Sequence, residues 1–361
     1  MTASSRPLEG KRILVTGGTG SLGKVLVRRL LAGELGAPAE VVVFSRDEAK
    51  QHYMRLAYQR LRVATDEVIY RGGQERLQFL IGDIRDPRAV SRALRGIDVV
   101  FSAAALKQVP TCEYHPYEAV LTNIEGAQNL VRAIHEQRWP VELLVGISTD
   151  KAVKPVNVMG MTKALQERIV QAANMFIPGT RCVSVRYGNV LASRGSVIPL
   201  FHEQLRAGGP VTITHREMTR FFLTLDAAVD TVFAAVTGAR PGETYVPRVP
   251  AARMVDVVEA LAGAREVQVQ FTGIRPGEKV HEVLISEEEV ARTHDRGAYY
   301  AVASILPEVH RGDVPACPPL AGEYSSAESL MSPPEVRAFL ERHGLTLEQA
   351  QAGGAEEELL R

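Results

Sequence analysis

Cysteine is scarce in this chain: three in 361 residues, at Cys112, Cys182 and Cys317. None sits in a Cys-x-x-Cys pair or another metal-ligating spacing, and three cannot all pair with one another. Neither a metal site nor a disulfide framework is expected, and reduced thiols point to the cytoplasm. Charge of one sign is lacking too. Lys+Arg and Asp+Glu both number 42, a formal net charge of +0. No global field draws the chain to nucleic acid or to a membrane surface, so any anion site must be local. No apolar stretch is long enough to span a bilayer. The opening residues, MTASSRPLEGKRILV, hold no long apolar run before the first expected strand, so no signal peptide is expected. Internal repeats are absent as well. What is present, 45% hydrophobic and 23% charged residues, suits a soluble globular chain of one large domain or two joined ones.

Apolar runs alternate with helical periodicity through the first half. RILVT (Arg12–Thr16), EVVVFS (Glu40–Ser45), LQFLIGDI (ending at Ile84), DVVFSAAA (Asp98–Ala105), VELLVGIST (Val141–Thr149) and RCVSVRYGNV (Arg181–Val190) read as strands. Continuous apolar strands separated by helical segments such as NIEGAQNLVRAIHEQ predict an α/β fold with a doubly wound parallel sheet, covered on both faces. From about Leu191 the rhythm changes, with Pro and Gly punctuation in GGPVTIT, GARPGETYVPRVP and GIRPGEKVHE. The expected division is a nucleotide-binding domain with the catalytic residues over 1–190, a mainly substrate-binding region over 191–345 with some segments returning to the sheet, and a frayed tail over 346–361.

TGGTGSLG places Gly17, Gly20 and Gly23 between a strand and a helix. Such a turn lets the backbone approach a pyrophosphate and aims the free N–H groups of the helix start at it; a purely structural glycine turn is the plainer alternative. The end of the second strand discriminates between dinucleotides. A carboxylate there suits a ribose 2′-OH, whereas Ser45, Arg46 and Lys50 suit a 2′-phosphate. NADP is therefore expected, with NAD as the alternative that Asp47 supports. Asp83, in GDI, could meet an adenine amino group or cap a helix.

STDK (Ser148–Lys151) closes the fifth expected strand, at the carboxyl edge where doubly wound sheets bind ligands. Lys163 follows on a helix with Met159 one turn earlier on the same face. TGGTGSLG, FSRDEAKQ, GDIRD, AAALKQVPTCEYHPYEAVLTNIEGAQNLV, STDKAVKPVNVMGMTK, RYGNVLASRGSVIPLF, MTRFFLTLDAAVD and RPGEKVHEVLISEEE follow one another from about residue 10 to beyond 290. In that order they resemble the extended short-chain dehydrogenase/reductases. More narrowly, the chain is similar to the UDP-N-acetylglucosamine 4,6-dehydratases of capsule, O-antigen and flagellin-sugar biosynthesis. GEYSSAESLMSPPEVRAFL carries a weaker likeness toward the C-terminus.

The resemblance implies a Rossmann-type fold, a UDP-sugar substrate and a homo-oligomer, dimer or hexamer. It implies that Gly17, Gly20 and Gly23, with Thr19, Ser21 and Leu22, hold the pyrophosphate of NADP. Ser45, Arg46 and Lys50 would hold its 2′-phosphate, with Asp83 and Ile84 beside the adenine and Ala103, Ala104 and Asn123 as further contacts. Lys163 would hold the nicotinamide ribose, and Thr149, Asp150 and Lys151 would be catalytic. Asn189, Arg220, Arg275 and Glu278 would bind the UDP part, with Lys107, Arg194 and Ser196 near the sugar. Two positions depart from the usual pattern. Ser102 stands where many relatives have histidine, and Met159 stands where a catalytic tyrosine is usual, although a branch of the family shares this methionine.

The implied chemistry oxidises sugar C4, which acidifies the C5 proton. A base then removes that proton, an acid protonates the departing C6 hydroxyl, and hydride returns to C6. Lys151 is the expected C5 base and, beside Asp150, implies inversion at C5. Met159 offers only a weak acceptor sulfur, so Asp150 is expected to take the C4-OH proton and pass it to the C6 oxygen. Lys151, or a water held by Thr149, is the alternative route. Two other readings stay open: a UDP-sugar 4-epimerase or dehydratase of another UDP-hexose, and a catalytically silent NADP-binding regulator.

Overall fold

In the computed structural model the described residues are 6–59, 76–191, 197–312 and 315–352. Strands β1 (Arg12–Thr16), β2 (Glu40–Ser45), β3 (Leu77–Ile81), β4 (Val99–Ser102), β5 (Leu143–Thr149) and β6 (Arg181–Tyr187) form the parallel core of a large sheet. The strands β1, β2, β4, β5 and β6 are almost wholly buried, as helices cover both faces. β1 lies between β2 and β4. The chain therefore reverses direction across the sheet at β1, and a crevice opens at the carboxyl ends of β1 and β4.

Three strands end earlier than the sequence reading has them, and the strand read from Val141 starts at Leu143. LQFLIGDI stops pairing at Ile81, because the Asp83 carboxylate accepts from the Arg85 backbone N–H (2.9 Å) and starts a turn. DVVFSAAA pairs only over Val99–Ser102; beyond it the backbone N–H groups of Ala103 and Ala104 donate to the Thr16 hydroxyl (3.1 and 3.2 Å) and bend the chain across the crevice. RCVSVRYGNV breaks at Gly188. Its last residues, β7 (Asn189–Val190), leave for a second sheet.

The chain beyond Leu191 divides between two bodies. β8 (Val211–Ile213), β9 (Thr219–Leu223), β11 (Ala251–Arg253) and β12 (Val269–Phe271) lie in small sheets ordered β11-β9-β7 and β12-β8. Helices Val197–Arg206, Met254–Ala262 and Pro333–Arg342 pack on them around Ile198, Phe201, Ile213, Leu261 and Leu340, a second core. The rest returns to the large sheet. β10 (Thr244–Pro247) pairs parallel with β6, and β15 (Tyr299–Val302) and β14 (Thr293–Asp295) close that edge antiparallel. β13 (Val283–Ile285) pairs with β16 (Tyr324–Ser325). The fold is mixed α/β with a nine-stranded central sheet. Phe101 and Phe221, both fully buried, belong to the core shared by the first and last parts of the chain; cutting either to alanine costs about 3–5 kcal/mol.

One buried ionic network ties the sheet to the C-terminal part. The Arg186 guanidinium, at the end of β6, donates to Glu167 (2.6 and 3.0 Å), to Glu289 (2.7 and 3.0 Å) and to the Leu284 carbonyl (2.8 Å). Such a network fixes a unique seat for the chain around Glu289 more than it adds net stability. Cys112 and Cys182 are buried free thiols and Cys317 is exposed. No helix among the described residues is long and apolar enough to cross a membrane. Of the expected tail, Leu347–Ala352 is helical, and 353–361 lie outside the described residues.

Candidate active site

A cavity of about 690 Å³ runs along the crevice from the glycine turn to the end of β5. At one end, Gly17 (φ +66°) follows β1, and the helix Ser21–Leu31 begins four residues later. A Cβ on Gly17 would stand 2.8 Å from the Ala104 backbone, and one on Gly23 would stand 2.5 Å from the Gly18 Cα. No side chain is tolerated at either position, so the bare backbone reaches the cavity. The helix starts without a side-chain cap, leaving its first N–H groups and positive dipole end for an anion. This cradle fits the pyrophosphate of a dinucleotide. Gly17, Thr19, Gly20, Ser21, Leu22 and Gly23 line it, with Ala103 and Ala104 on the opposite wall.

The adenosine end of the cavity carries both signs of charge. Ser45, Arg46, Asp47, Lys50, Asp83 and Ile84 line it. The Arg46 guanidinium lies 3.6 Å from the Asp83 carboxylate, and the Lys50 ammonium 2.6 Å from Asp47. The Ser45 hydroxyl accepts from the Gln51 amide (3.0 Å). Asp83 is not a helix cap. Asp86 caps the helix Pro87–Ala93 instead, accepting from the Arg88 N–H, while the Arg85 guanidinium grips Asp83 at 2.7–3.1 Å. Burial would raise the Asp83 carboxyl, but Arg85 and Arg46 outweigh it and hold it below the usual carboxylate range. Asn123 does not reach the cavity. It is buried behind the wall in a π-helical turn (Val120–Glu125), bridging the Leu106 N–H and carbonyl and the Thr162 hydroxyl at 2.9–3.0 Å. It braces the wall rather than touching a ligand.

The other end is built on the carboxyl edge of β5. The helix Val158–Ala173 is capped by Asn157, whose side chain accepts from the Gly160 N–H. Gly160 sits so close to the Lys151 carbonyl that any Cβ there would overlap it (2.1 Å), which locks this helix onto the Asp150–Ala152 turn. Met159 and Lys163 project from it to the cavity wall. Met159 packs with Cys112, Ala119, Leu106 and Val109. The buried Lys163 ammonium donates to the Ile147 carbonyl and the Gln166 side chain. Burial lowers its pKa to about 8, with Glu167 pulling the other way.

Thr149, Lys151 and Asn189 line the cavity beside Lys107 and Tyr187; Asp150 does not. Asp150 is wholly buried. Its Oδ1 accepts from the Thr149 hydroxyl (2.8 Å) and the Lys151 ammonium (3.0 Å), while its Oδ2, beside Gly188, has no hydrogen-bond partner. Direct contact between Asp150 and a sugar is therefore not what this geometry provides; the Thr149 hydroxyl stands between them. Lys151 Nζ also meets Asn189 Oδ1 and Glu282 Oε1, both at 3.2 Å. Burial alone would lower the Lys151 pKa, yet the Asp150 and Glu282 carboxylates outweigh it and hold the pKa above the ordinary lysine value. These two carboxylates hold Lys151 as an ammonium.

The expected phosphate clamp is not assembled. The Arg220 guanidinium is buried and faces protein, donating to the carbonyls of Thr219, Lys279 and Val280 (2.7–3.0 Å) and to Glu278 (3.5 Å). Arg275 is exposed on a loop that does not line the cavity; its backbone N–H donates to Glu278. Arg194 and Ser196 lie outside the described residues. Sequence reasoning missed Glu282 and Lys279. Both belong to RPGEKVHE, but nothing in a linear motif tells which of its charges turns inward. Among the described residues no three His, Cys, Asp or Glu side chains gather as a metal site.

The chain is similar to known proteins. The UDP-glucose 4-epimerase of Rickettsia akari is 42% identical over 298 residues, 81% of this chain and 82% of that one. The solved structure of Pen from Bacillus thuringiensis is 33% identical, with a TM-score of 0.81 over 94% of this chain and 99% of its own. The dTDP-glucose 4,6-dehydratase DesIV of Streptomyces venezuelae, solved with NAD, shares the fold at 23% identity and a TM-score of 0.62, over 94% of this chain and 99% of its own. Residues 13–304 match the family described as polysaccharide biosynthesis protein. By that match, which spans the central sheet from β1 to β15, the chain belongs to the polysaccharide biosynthesis protein family.

Proposed function

We propose that the chain is a nucleotide-sugar enzyme of the epimerase/dehydratase type, and specifically a UDP-GlcNAc 4,6-dehydratase that inverts C5. The observation that carries this reading is the Thr149–Asp150–Lys151–Glu282 cluster at the cavity wall. A 4-epimerase needs one group to take and return the C4-OH proton. Elimination of water needs a second acid–base pair, for the C5 proton and the C6 hydroxyl. A lysine flanked by two buried carboxylates supplies that extra capacity, and a regulator without catalysis needs none of it.

Bound in the crevice, a nicotinamide dinucleotide supplies the acceptor and donor of hydride for C4 and C6. Gly17, Gly20 and Gly23 would hold its pyrophosphate, Lys163 its nicotinamide ribose, and Arg46 and Lys50 a 2′-phosphate, which favours NADP. Asp47 and Asp83 at the same end keep NAD as a second reading, and the Thermus thermophilus UDP-glucose 4-epimerase, 25% identical, is solved with NAD.

Met159 has no basic oxygen, so the proton of the C4 hydroxyl takes another path. The Thr149 hydroxyl lines the cavity and already donates to Asp150 Oδ1. It accepts the C4-OH proton as its own passes to Asp150. Neutralising Asp150 removes one of the two anions that hold the Lys151 proton, so the ammonium can release that proton within the cluster and its free amine then serves as the base for C5–H. The proton stored on Asp150 returns through Thr149 to the departing C6 hydroxyl, which leaves as water. Inversion requires the new proton to reach C5 from the face opposite Lys151, so water supplies it there while Lys151 gives up the proton it removed to solvent. Incubation of the purified protein with UDP-GlcNAc in D2O, followed by NMR, tests the reading. A 4-keto-6-deoxy sugar with inverted, deuterated C5 supports it. A C4 epimer alone replaces it with the epimerase reading, which the Rickettsia akari relative favours.

A further inference from the structure

Glu282 is the least explained charge in the molecule. It is 2% exposed, its Oε1 lies 3.2 Å from the Lys151 ammonium and 3.8 Å from Arg220 Nε, and its Oε2 is buried without a hydrogen-bond partner. Its backbone is fixed independently of that side chain: the Glu282 N–H donates to the Ser326 hydroxyl, and the Ser326 N–H donates to the Glu282 carbonyl. Ser326 in turn bonds Thr219, next to Arg220 on β9. The carboxylate is thus delivered to Lys151 by a rigid junction of β9, β13 and β16. A buried carboxylate with an orphan oxygen is costly, and nothing in the packing requires one here.

We propose that Glu282 is a positioning residue for Lys151: it holds the ammonium in the resting site and receives its proton when Asp150 becomes neutral, so that the C5 base is generated only after C4 oxidation. This rests on the reading of Lys151 as the C5 base. The step balances: one proton moves from Lys151 Nζ to the Glu282 carboxylate and returns after C5 has been reprotonated. Among the described residues, the charged groups around Lys151 are consistent with the exchange. Asp150 and Glu282 favour its charge, while Arg220 and the Lys279 ammonium, which donates to the Val153 carbonyl at 2.5 Å, oppose it. Asn189 and Thr149 are neutral neighbours. Burial and Arg220 oppose the charge and the two carboxylates outweigh them, so removing either anion moves the lysine toward its free amine.

The experiment is competitive acylation of surface and cavity lysines with acetic anhydride across pH, read at the Lys151 peptide by mass spectrometry. In the wild-type protein Lys151 should react as a protonated lysine up to high pH. In Glu282→Gln its reactivity at pH 8 should rise by about tenfold or more, corresponding to at least one unit in its titration, and the ascending limb of turnover, which follows deprotonation of Lys151, should move to lower pH by the same interval. Glu282→Asp, which keeps the charge one methylene further back, should fall between the two and restore much of the turnover. An unchanged Lys151 labelling curve in folded Glu282→Gln overturns the proposal, as does an activity loss with no shift of the pH limb, which a merely structural role would give. If Glu282→Gln does not fold, Glu282→Asp alone decides: a labelling curve identical to wild type counts against the proposal. Labelling needs no substrate, so failure to dehydrate UDP-GlcNAc would sink the proposed reaction and the timing of the C5 base, while the coupling of the Lys151 proton to Glu282 is judged separately by the labelling curve.

Discussion

The two ends of the cavity handle charge in opposite ways. At the adenosine end, Arg46, Lys50, Asp47 and Asp83 are partly exposed and paired across the cavity mouth. Such pairs are worth little in the folded state, so a ligand phosphate can displace them at small cost. At the catalytic end, Asp150 and Glu282 are buried, each has an oxygen without a partner, and Lys151 sits between them. Low dielectric makes each charge there depend on the others. The first arrangement suits reversible binding, and the second suits moving protons. A cationic side chain therefore has a different setting at each end: Arg46 is half-exposed beside one carboxylate, whereas Lys151 sits between two buried ones.

The sharpest break in that comparison is Lys151→Met. Product formation should fall by about 10²–10⁴-fold, the usual worth of a positioned acid–base group, while slow formation of reduced cofactor continues because the Thr149–Asp150 path remains. Single-turnover absorbance of the reduced nicotinamide checks this, and normal dehydration by the variant would remove Lys151 from the mechanism. Thr149→Val makes the complementary cut. It should lose C4 oxidation itself, by about 10²-fold or more. If oxidation proceeds at the wild-type rate, the proton does not travel through the threonine.

Next in size is a buried charge that does no chemistry. Arg186→Met leaves Glu167 without its cation and Glu289 with Arg292 alone (3.3 Å), and should cost about 3–5 kcal/mol in stability, measured by denaturant unfolding. The same change should raise the pH of acid unfolding. Burial would raise the Glu289 pKa, but Arg186 outweighs it and holds the pKa at about 2, below the ordinary 4.5. The stability from this pair is therefore complete above the ordinary value and is lost as pH falls from there toward about 2. Without Arg186, that contribution should shrink to what Arg292 and the Ser286 N–H supply and the acid midpoint should rise; an unchanged midpoint would show the pair to be dispensable.

Smaller effects belong to the adenosine end. Arg46→Ala should weaken NADP by roughly tenfold or more, the scale of one charge-assisted hydrogen bond, and NAD far less, by calorimetry or fluorescence quenching. Equal losses would remove the case for a 2′-phosphate. The smallest effect is expected from Arg275→Ala. Its side chain is exposed and off the cavity wall, so unfolding stability should stay within about 0.5 kcal/mol and UDP affinity should fall less than about tenfold, or 1.4 kcal/mol. A loss of hundredfold would show that the loop carrying Arg275 folds over the diphosphate.

Local patterns determined much by themselves. Continuous apolar runs at β1, β2, β4, β5 and β6 specify strands buried on both faces, because a parallel sheet leaves them no solvent side. The glycines of TGGTGSLG specify the close backbone turn, because a Cβ at Gly17 or Gly23 would overlap neighbouring backbone. Helical spacing alone puts Met159 and Lys163 on one face. Only the tertiary structure decided which charges meet. Arg220 and Arg275 look alike in sequence, yet β9 carries the first into a ring of carbonyls while the second stays exposed in a loop. Asp150 and Lys151 are adjacent in sequence, yet the tight turn after β5 buries the carboxylate and leaves the ammonium at the cavity. Glu282 reaches Lys151 because β13 pairs with β16 beside β9. Backbone conformation is set by neighbours along the chain, whereas the charge state of a buried group is set by neighbours in space, and those exist only once the sheets have assembled.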